Sequence, residues 1–469
     1  MEFGPLLYFR DIDSDRLRLA ALILRPAERP CAEIETDLGT FEPEILAEIG
    51  GRVVWRITFD LPAGGVPEYH FEGQSYPVRT DYETDLRIGF ASCNGEENGD
   101  LDRDAGERNL MWARMADAHE RAPFHLLLQG GDQIYADEAG KAHPLTEDWP
   151  NNLQKTVSPA DLAAVSQTLR LAFFQRYCVT FSGQGFTNLA AQVPSLMIWD
   201  DHDICDGWGS LGAEVTDHPL GQCLFAAARE MYLIFQMAMR PSEADALLLD
   251  PEASSLSWRR DLPGVTILAP DLRSERRRDR VMDQTGWACF EAATADVRER
   301  VLLISSVPLL GPRLSLVERF FLLTRRMEKY EDDLRDQWQS RAHRTEWQKM
   351  LRHLIGMQER GIDITAISGE IHVATRAEMK GGDGRTLHQL VSSGIAHRSP
   401  PKAYSLGLGM LSRLGEAPLS GHPIRIRPLP GRFLSYTGQR NFLVIERREG
   451  AWRAAWELER AGRTPWMEI

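Results

Sequence analysis

Long apolar runs are missing from this chain. No uncharged hydrophobic stretch approaches the roughly 20 residues that a helix needs to cross a bilayer, so no membrane partner is expected. The opening residues, MEFGPLLYFRDIDSDRLRL, have no basic head followed by an apolar run, so no secretory leader is expected. Paired cysteines are missing too. Cys31, Cys93, Cys178, Cys205, Cys223 and Cys289 are scattered over 469 residues with no CxxC. That is the pattern of reduced thiols in a cytoplasm, not of a disulfide scaffold, and a cytoplasmic location is the expectation. Basic excess is also absent. The formal net charge of -14 argues against nucleic acid as a partner, while leaving room for a local basic pocket that attracts an anion. There is no Walker loop, no HExxH pair and no GxSxG elbow, and Gly407-Leu408-Gly409 lacks the strand and third glycine of a dinucleotide fingerprint. Internal repeats, low-complexity tracts and long flexible linkers are absent.

What is present is an ordinary globular composition, 43% hydrophobic and 26% charged, long enough for a large core and, by length, two or three domains. Residues 1–82 read as β-rich. Leu17 to Leu24 and Val53 to Phe59 are strand-like, with a turn at Leu61 to Gly65. A small β-sandwich-like accessory domain is expected there, followed by a second domain over 83–469. From Leu86 onward the pattern changes to buried strands alternating with helices, the signature of βαβ units. Strands are expected at Leu86 to Cys93, Phe124 to Leu128, Val193 to Trp199, Leu256 to Leu268, Val301 to Val307, Ile362 to Ile367 and Leu387 to Ser393. Helices are expected at about Glu107 to Arg121, Asp161 to Tyr177 and His218 to Met239, with a mostly helical, solvated layer from Leu314 to Met357. Phe442 to Arg447 and Ala451 to Glu459 read as a closing hairpin.

Chemistry concentrates where these strands end. In FHLLLQGGDQIYADE, Phe124 to Glu138, an apolar strand breaks at Gly130-Gly131 and presents Asp132, Tyr135 and Asp137. Taken alone this is a polar turn as readily as a site. Three more strand ends share the character: Cys93, the run Asp200 to Asp206 with His202, and Glu370 with His372. Singly, each has a plain structural reading: a buried Cys is a small hydrophobe, a lone His a satisfied core group, and Asp200-Asp201 a helix cap. Together they converge, because strand ends of an open α/β sheet meet in one crevice. Thiolate and phenolate favour a transition ion such as iron, and spare carboxylates favour a hard ion such as calcium, magnesium or manganese. Two adjacent ions bridged by one carboxylate, here Asp132, can activate a hydroxide for attack on phosphorus.

The pieces Ala91-Ser92-Cys93, Gly131-Asp132-Gln133-Ile134-Tyr135, Trp199-Asp200-Asp201-His202-Asp203, Asp271-Leu272-Arg273 and Ser368-Gly369-Glu370-Ile371-His372 carry a resemblance. In order and spacing the chain resembles PhoD-type alkaline phosphatases, within the calcineurin-like metallophosphoesterase superfamily. The resemblance implies an α/β fold, with a four-layer α/β/β/α metallophosphatase core preceded by the β domain. It implies a phosphoester hydrolase acting on a small phosphomonoester or phosphodiester. Alternatives are a non-catalytic regulatory or binding relative, and a nuclease of the same superfamily. The implied cofactors are iron (Fe3+) with calcium or another divalent ion. Cys93, Asp132, Tyr135 and His372 would hold the iron. Asp132, Asp201 or Asp206, and Glu370 would hold the second ion. His202 is expected to serve the leaving group and Arg273 the phosphate. Arg276, in the arginine-rich run 273–280, and His397 are expected near the substrate. Two positions depart from the family pattern: Asp206 stands where Asn is usual, and Glu370 where Asp is usual.

Overall fold

The computed structural model describes residues 1–312, 337–413 and 415–469. Two large sheets dominate it. The first has eleven strands, and at its centre run Leu86–Ala91, Leu126–Gly130, Ser195–Ile198 and Phe3–Ile12, all mutually parallel. The hairpin Asn441–Arg448 and Ala451–Leu458 extends one side, as read from sequence. The second sheet has eight strands, with Val265–Ala269, Arg300–Ile304, Ile364–Ser368 and Thr386–Val391 parallel at its heart.

Strand alternation explains how these sheets stack. Side chains of period two point to opposite faces. Ile267, Leu302, Ile304, Ile367 and Leu390 join the core shared with the first sheet. Their neighbours Leu268, Val301, Leu303, Ile364 and Ala366 join a second core. That outer core is closed by the helices Gln284–Ala295 and Arg344–Glu359, through Trp287, Phe290, Trp347, Met350 and Leu354. On the other side, helix Leu110–Arg121 lays Met115 over Gly89 of the first sheet. The helices Pro159–Phe181 and Pro219–Phe235 pack there through Phe173, Tyr177, Tyr232 and Phe235. The result is the expected α/β/β/α order.

Residues 1–82 are β-rich, as expected. Four of their eight strands, Phe3–Ile12, Arg16–Pro26, Arg52–Pro62 and Glu44–Ile49, run on into the core sheet, where Tyr8 pairs with Ser195. This covers what would otherwise be an open edge at Ser195–Ile198. The other four form a small sheet. Leu256 to Leu268, read as one strand, is two: Trp258–Leu262 and Val265–Ala269 pair antiparallel about Pro263-Gly264, and Gly264 takes φ +75°. Of the helical layer expected from Leu314 to Met357, the part 314–336 lies outside the described residues.

Candidate metal centre

The carboxyl ends of both sheets meet. Within the first sheet the strand ends are joined by Cys93 N–H to Gly131 C=O at 3.2 Å and Asn94 N–H to Asp132 C=O at 2.8 Å, and His397 N–H to Cys93 C=O at 3.0 Å ties them to the second sheet. Ser92 Oγ donates to Ser392 C=O at 2.9 Å. Gly131 adopts φ +108°, and a side chain there would strike the Asp200 side chain, so glycine lets the two acidic loops close on each other. Nine non-glycine residues among those described have positive φ, and four of them are Cys93, Asp132, Glu370 and His372. Left-handed backbone costs free energy for such residues and persists where the surroundings dictate it, commonly at functional sites.

Asp132 sits at the centre. Cys93 Sγ lies 3.3 Å and the Tyr135 hydroxyl 3.5 Å from its Oδ2. Its Oδ1 is buried with no hydrogen-bond partner among the described residues. Carboxylate oxygens of Asp132, Asp200 and Asp201, all buried, lie within 4.8 Å of one another. Burial, reinforced by the charges of Asp200, Asp201 and Asp203, pushes the Asp132 carboxyl well above its ordinary range, although His202 pulls the other way. Burial first, and Asp132 next, also push up the Cys93 thiol; for the Tyr135 hydroxyl burial leads, followed by Cys93 and Asp132. Packing this much negative charge in a dry site is costly without a cation. The orphaned Asp132 Oδ1 and the O/S donor set therefore fit bound metal.

Asp201 links this cluster to a second one, with His202 and Asp206. His202 Nδ1 is 3.0 Å from Asp137 Oδ2, and its ring stacks on Tyr135 at 4.3 Å. Burial would lower the imidazole pKa, but Asp137, Asp201 and Asp132 outweigh it and hold it well above the ordinary value. Asp206 is raised to about 6, mainly by burial. Asp203 instead fixes the loop, its carboxylate accepting from the backbone of Asp200 and Ile134 and from Gln236.

A third group joins His372, His397 and Glu97. The two imidazoles stack, and His372 Nδ1 is buried without a partner among the described residues. His372 is thus placed with Glu97 and His397 and is not one of the groups clustered on Asp132, although its backbone N–H donates to Ser393 Oγ, which is 3.1 Å from Cys93 Sγ. Glu370 directs its carboxylate to Gln337 Nε2 at 2.6 Å, and its backbone oxygen is the part near Cys93. Arg273 is wholly buried and faces inward. Its Nε pairs with Asp200, its Nη2 lies 3.3 Å from Asp201, and its Nη1 donates to Trp208 C=O. Arg276 is equally buried, packed across Gly209. Sequence reasoning singled out Asp137 and the run from Asp200 at strand ends without giving Asp137 or Asp200 a role, and it did not find Glu97 or Ser393. Asp200 was open to a capping reading, and Glu97 lies in a loop without periodic signal.

The model of the PhoD related phosphatase family matches residues 78–330. The chain belongs to that family. The match covers the strand ends bearing Cys93, Asp132 and Asp200 to Asp206. Among proteins of known sequence, the uncharacterized protein YGR266W of Saccharomyces cerevisiae is 23% identical over 367 residues, 64% of this chain and 51% of its own. The chain thus spans about half the length of this curated relative. Among solved structures, PhoD superposes over 100% of this chain and 89% of its own, with a TM-score of 0.62 at 13% identity. The purple acid phosphatase PPD1 from yellow lupin (Lupinus luteus) superposes over 98% and 72%, with a TM-score of 0.53 at 10% identity. Both share the fold.

Proposed function

We propose that this PhoD-related chain is a metal-dependent hydrolase of small phosphoesters. The observation that carries the reading is the convergence of three buried carboxylates, Asp132, Asp200 and Asp201, with Cys93 and Tyr135 set against Asp132. Cys93, Asp132 and Tyr135 would hold ferric iron, with His372 approaching from the neighbouring group. Asp132, Asp201, Asp206 and Glu370 would hold calcium or another divalent ion. When bound, such ions supply Lewis acidity and lower the pKa of a coordinated water.

This chain's own groups do the rest. His202, held cationic by Asp137, would give a proton to the leaving oxygen. Arg273 balances Asp200 and Asp201 and keeps them aimed into the site, and through them bears on the developing charge at phosphorus. His397, and Arg276 deeper in, are the proposed contacts to the substrate side. Residues 1–82 are proposed as the accessory portion and 83–469 as the catalytic portion. No helix among the described residues is long and apolar enough to cross a membrane; a cytoplasmic site of action is proposed from the unpaired cysteines.

Elemental analysis of purified protein, run beside assays on a phosphomonoester and a phosphodiester, tests the reading. Bound metal with turnover of either ester supports it. A metal-replete protein inert toward both esters contradicts it.

A further inference from the structure

Charge and exposed apolar surface are unevenly spread over this molecule. Between residues 398 and 445 there are seven arginines and lysines and one acid, Glu416, in a chain whose net charge is -14. The same stretch holds five of the eleven large hydrophobic side chains exposed among the described residues: Tyr404, Leu406, Met410, Phe433 and Leu434. Phe433 is 99% exposed and Met410 68%. Single exposed apolar groups need no explanation, but a grouped set does.

Two elements carry the set, and they touch. In helix Lys402–Ser412 only Ser405 is buried. A side chain at Gly438 would meet Ser405 Oγ at 2.8 Å, so the helix rests on the 428–440 loop by that residue. Both elements are also tied to the His372 and His397 group. The helix begins five residues after His397, and Thr437 bonds both ways with Ala374, two residues from His372. Of the basic groups, Arg398, Arg427 and Arg440 are paired with Glu96, Glu107, Glu378 and Glu459. Lys402, Arg413 and Arg432, which flank the apolar residues, have no ion pair among the described residues.

We propose that helix Lys402–Ser412 and the Phe433–Leu434 turn form a docking surface for an anionic bilayer. Apolar side chains rimmed by unpaired basic ones are what a helix lying in a lipid interface requires, and spanning is not part of that arrangement. The sequence-based expectation of no membrane partner rested on spanning alone. A second copy of the chain is the poorer occupant. A two-fold contact through this patch would bring the basic set Lys402, Arg413 and Arg432 of one copy close to the same basic set of the other.

The test is co-sedimentation of the full chain with vesicles of phosphatidylcholine alone and of phosphatidylcholine mixed with phosphatidylserine, at low and high salt. The expected result is binding to the anionic vesicles only, weakened by salt. The variant Phe433→Ser should lose that binding with unchanged thermal unfolding, because its side chain is already in solvent. Lys402→Gln and Arg432→Gln should each weaken it roughly fivefold. Equal binding to both vesicle types, binding unchanged in the serine variant, or no binding to either overturns the proposal. A dimer in solution that Phe433→Ser dissociates, without vesicle binding, would also overturn it and assign the patch to a second copy. None of these readouts depends on catalysis.

Discussion

The imidazoles of His372 and His397 lie face to face, with centroids 3.5 Å apart and planes 5° from parallel. Two imidazolium rings would repel at that separation, and burial followed by the field of His397 holds His372 well below its ordinary pKa. A neutral ring with a buried, unpartnered Nδ1 is an available metal donor. In metal-free protein, the titration of His372, followed by ring-proton NMR, should lie well below its ordinary range. A midpoint at its ordinary value of 6.5 would show that the ring is not held neutral.

His202 should behave oppositely. Its raised pKa depends on Asp137, 3.0 Å away. In Asp137→Asn the imidazolium loses that support, so its proton leaves at lower pH and the alkaline limb of kcat moves down. Turnover should also fall by about 10²-fold, the scale of general acid catalysis. A pH profile identical to the parent's would remove Asp137 from the mechanism.

Arg273 is predicted to matter for the fold as well as the site. It is fully buried against Asp200 and Asp201. Removing one partner of a buried ion pair leaves the other charges uncompensated, at a cost of roughly 3–5 kcal/mol. Arg273→Met should lower stability by that amount in metal-free protein, measured by urea unfolding. A change below about 1 kcal/mol, the scale of a surface pair, would show that the pair is not buried in solution.

Two histidines away from the site set an acid limit. His119 and His125 accept backbone N–H bonds from Phe124 and Arg87 at Nδ1, and burial lowers both to about 4. Their folded pKa lies below the unfolded value, so the stability they allow is complete above about 6.5 and is lost as pH falls toward 4. Each accounts for roughly 3 kcal/mol over that window. Thermal unfolding measured from pH 7 to 4 should fall steadily, and replacing His125 by Gln should flatten part of the fall.

Much of this was legible from residue patterns. Buried parallel strands are short apolar runs, and the glycines and polar residues that end them are visible, so Cys93, Asp132, Tyr135 and the 200–206 run could be placed on one rim. What lay hidden depended on partners far away in sequence. That Phe3–Ile12 would pair with Ser195–Ile198 follows from an edge left open by the core, not from its own composition. The turn at Pro263-Gly264 is signalled by the dipeptide itself, but two short strands joined by two residues read together as one extended run. Arg273 stands in a run that reads as a solvated loop, yet its guanidinium turns inward to two carboxylates more than seventy residues earlier. Glu97 acquires meaning only beside His397, 3.5 Å away.

The central claim is that Asp132 gathers the metal. Asp132→Asn keeps the shape and removes the charge, while Tyr135→Phe removes one terminal donor. Metal content, visible absorption and phosphoester turnover should be measured for both beside the parent. Asp132→Asn is predicted to lose its metal and nearly all turnover while still folding, because the strand Leu126–Gly130 is untouched. Tyr135→Phe is predicted to do less harm and to abolish the charge-transfer band of a phenolate on ferric iron. If Asp132→Asn keeps its metal and turns over substrate like the parent, the centre proposed around it is wrong.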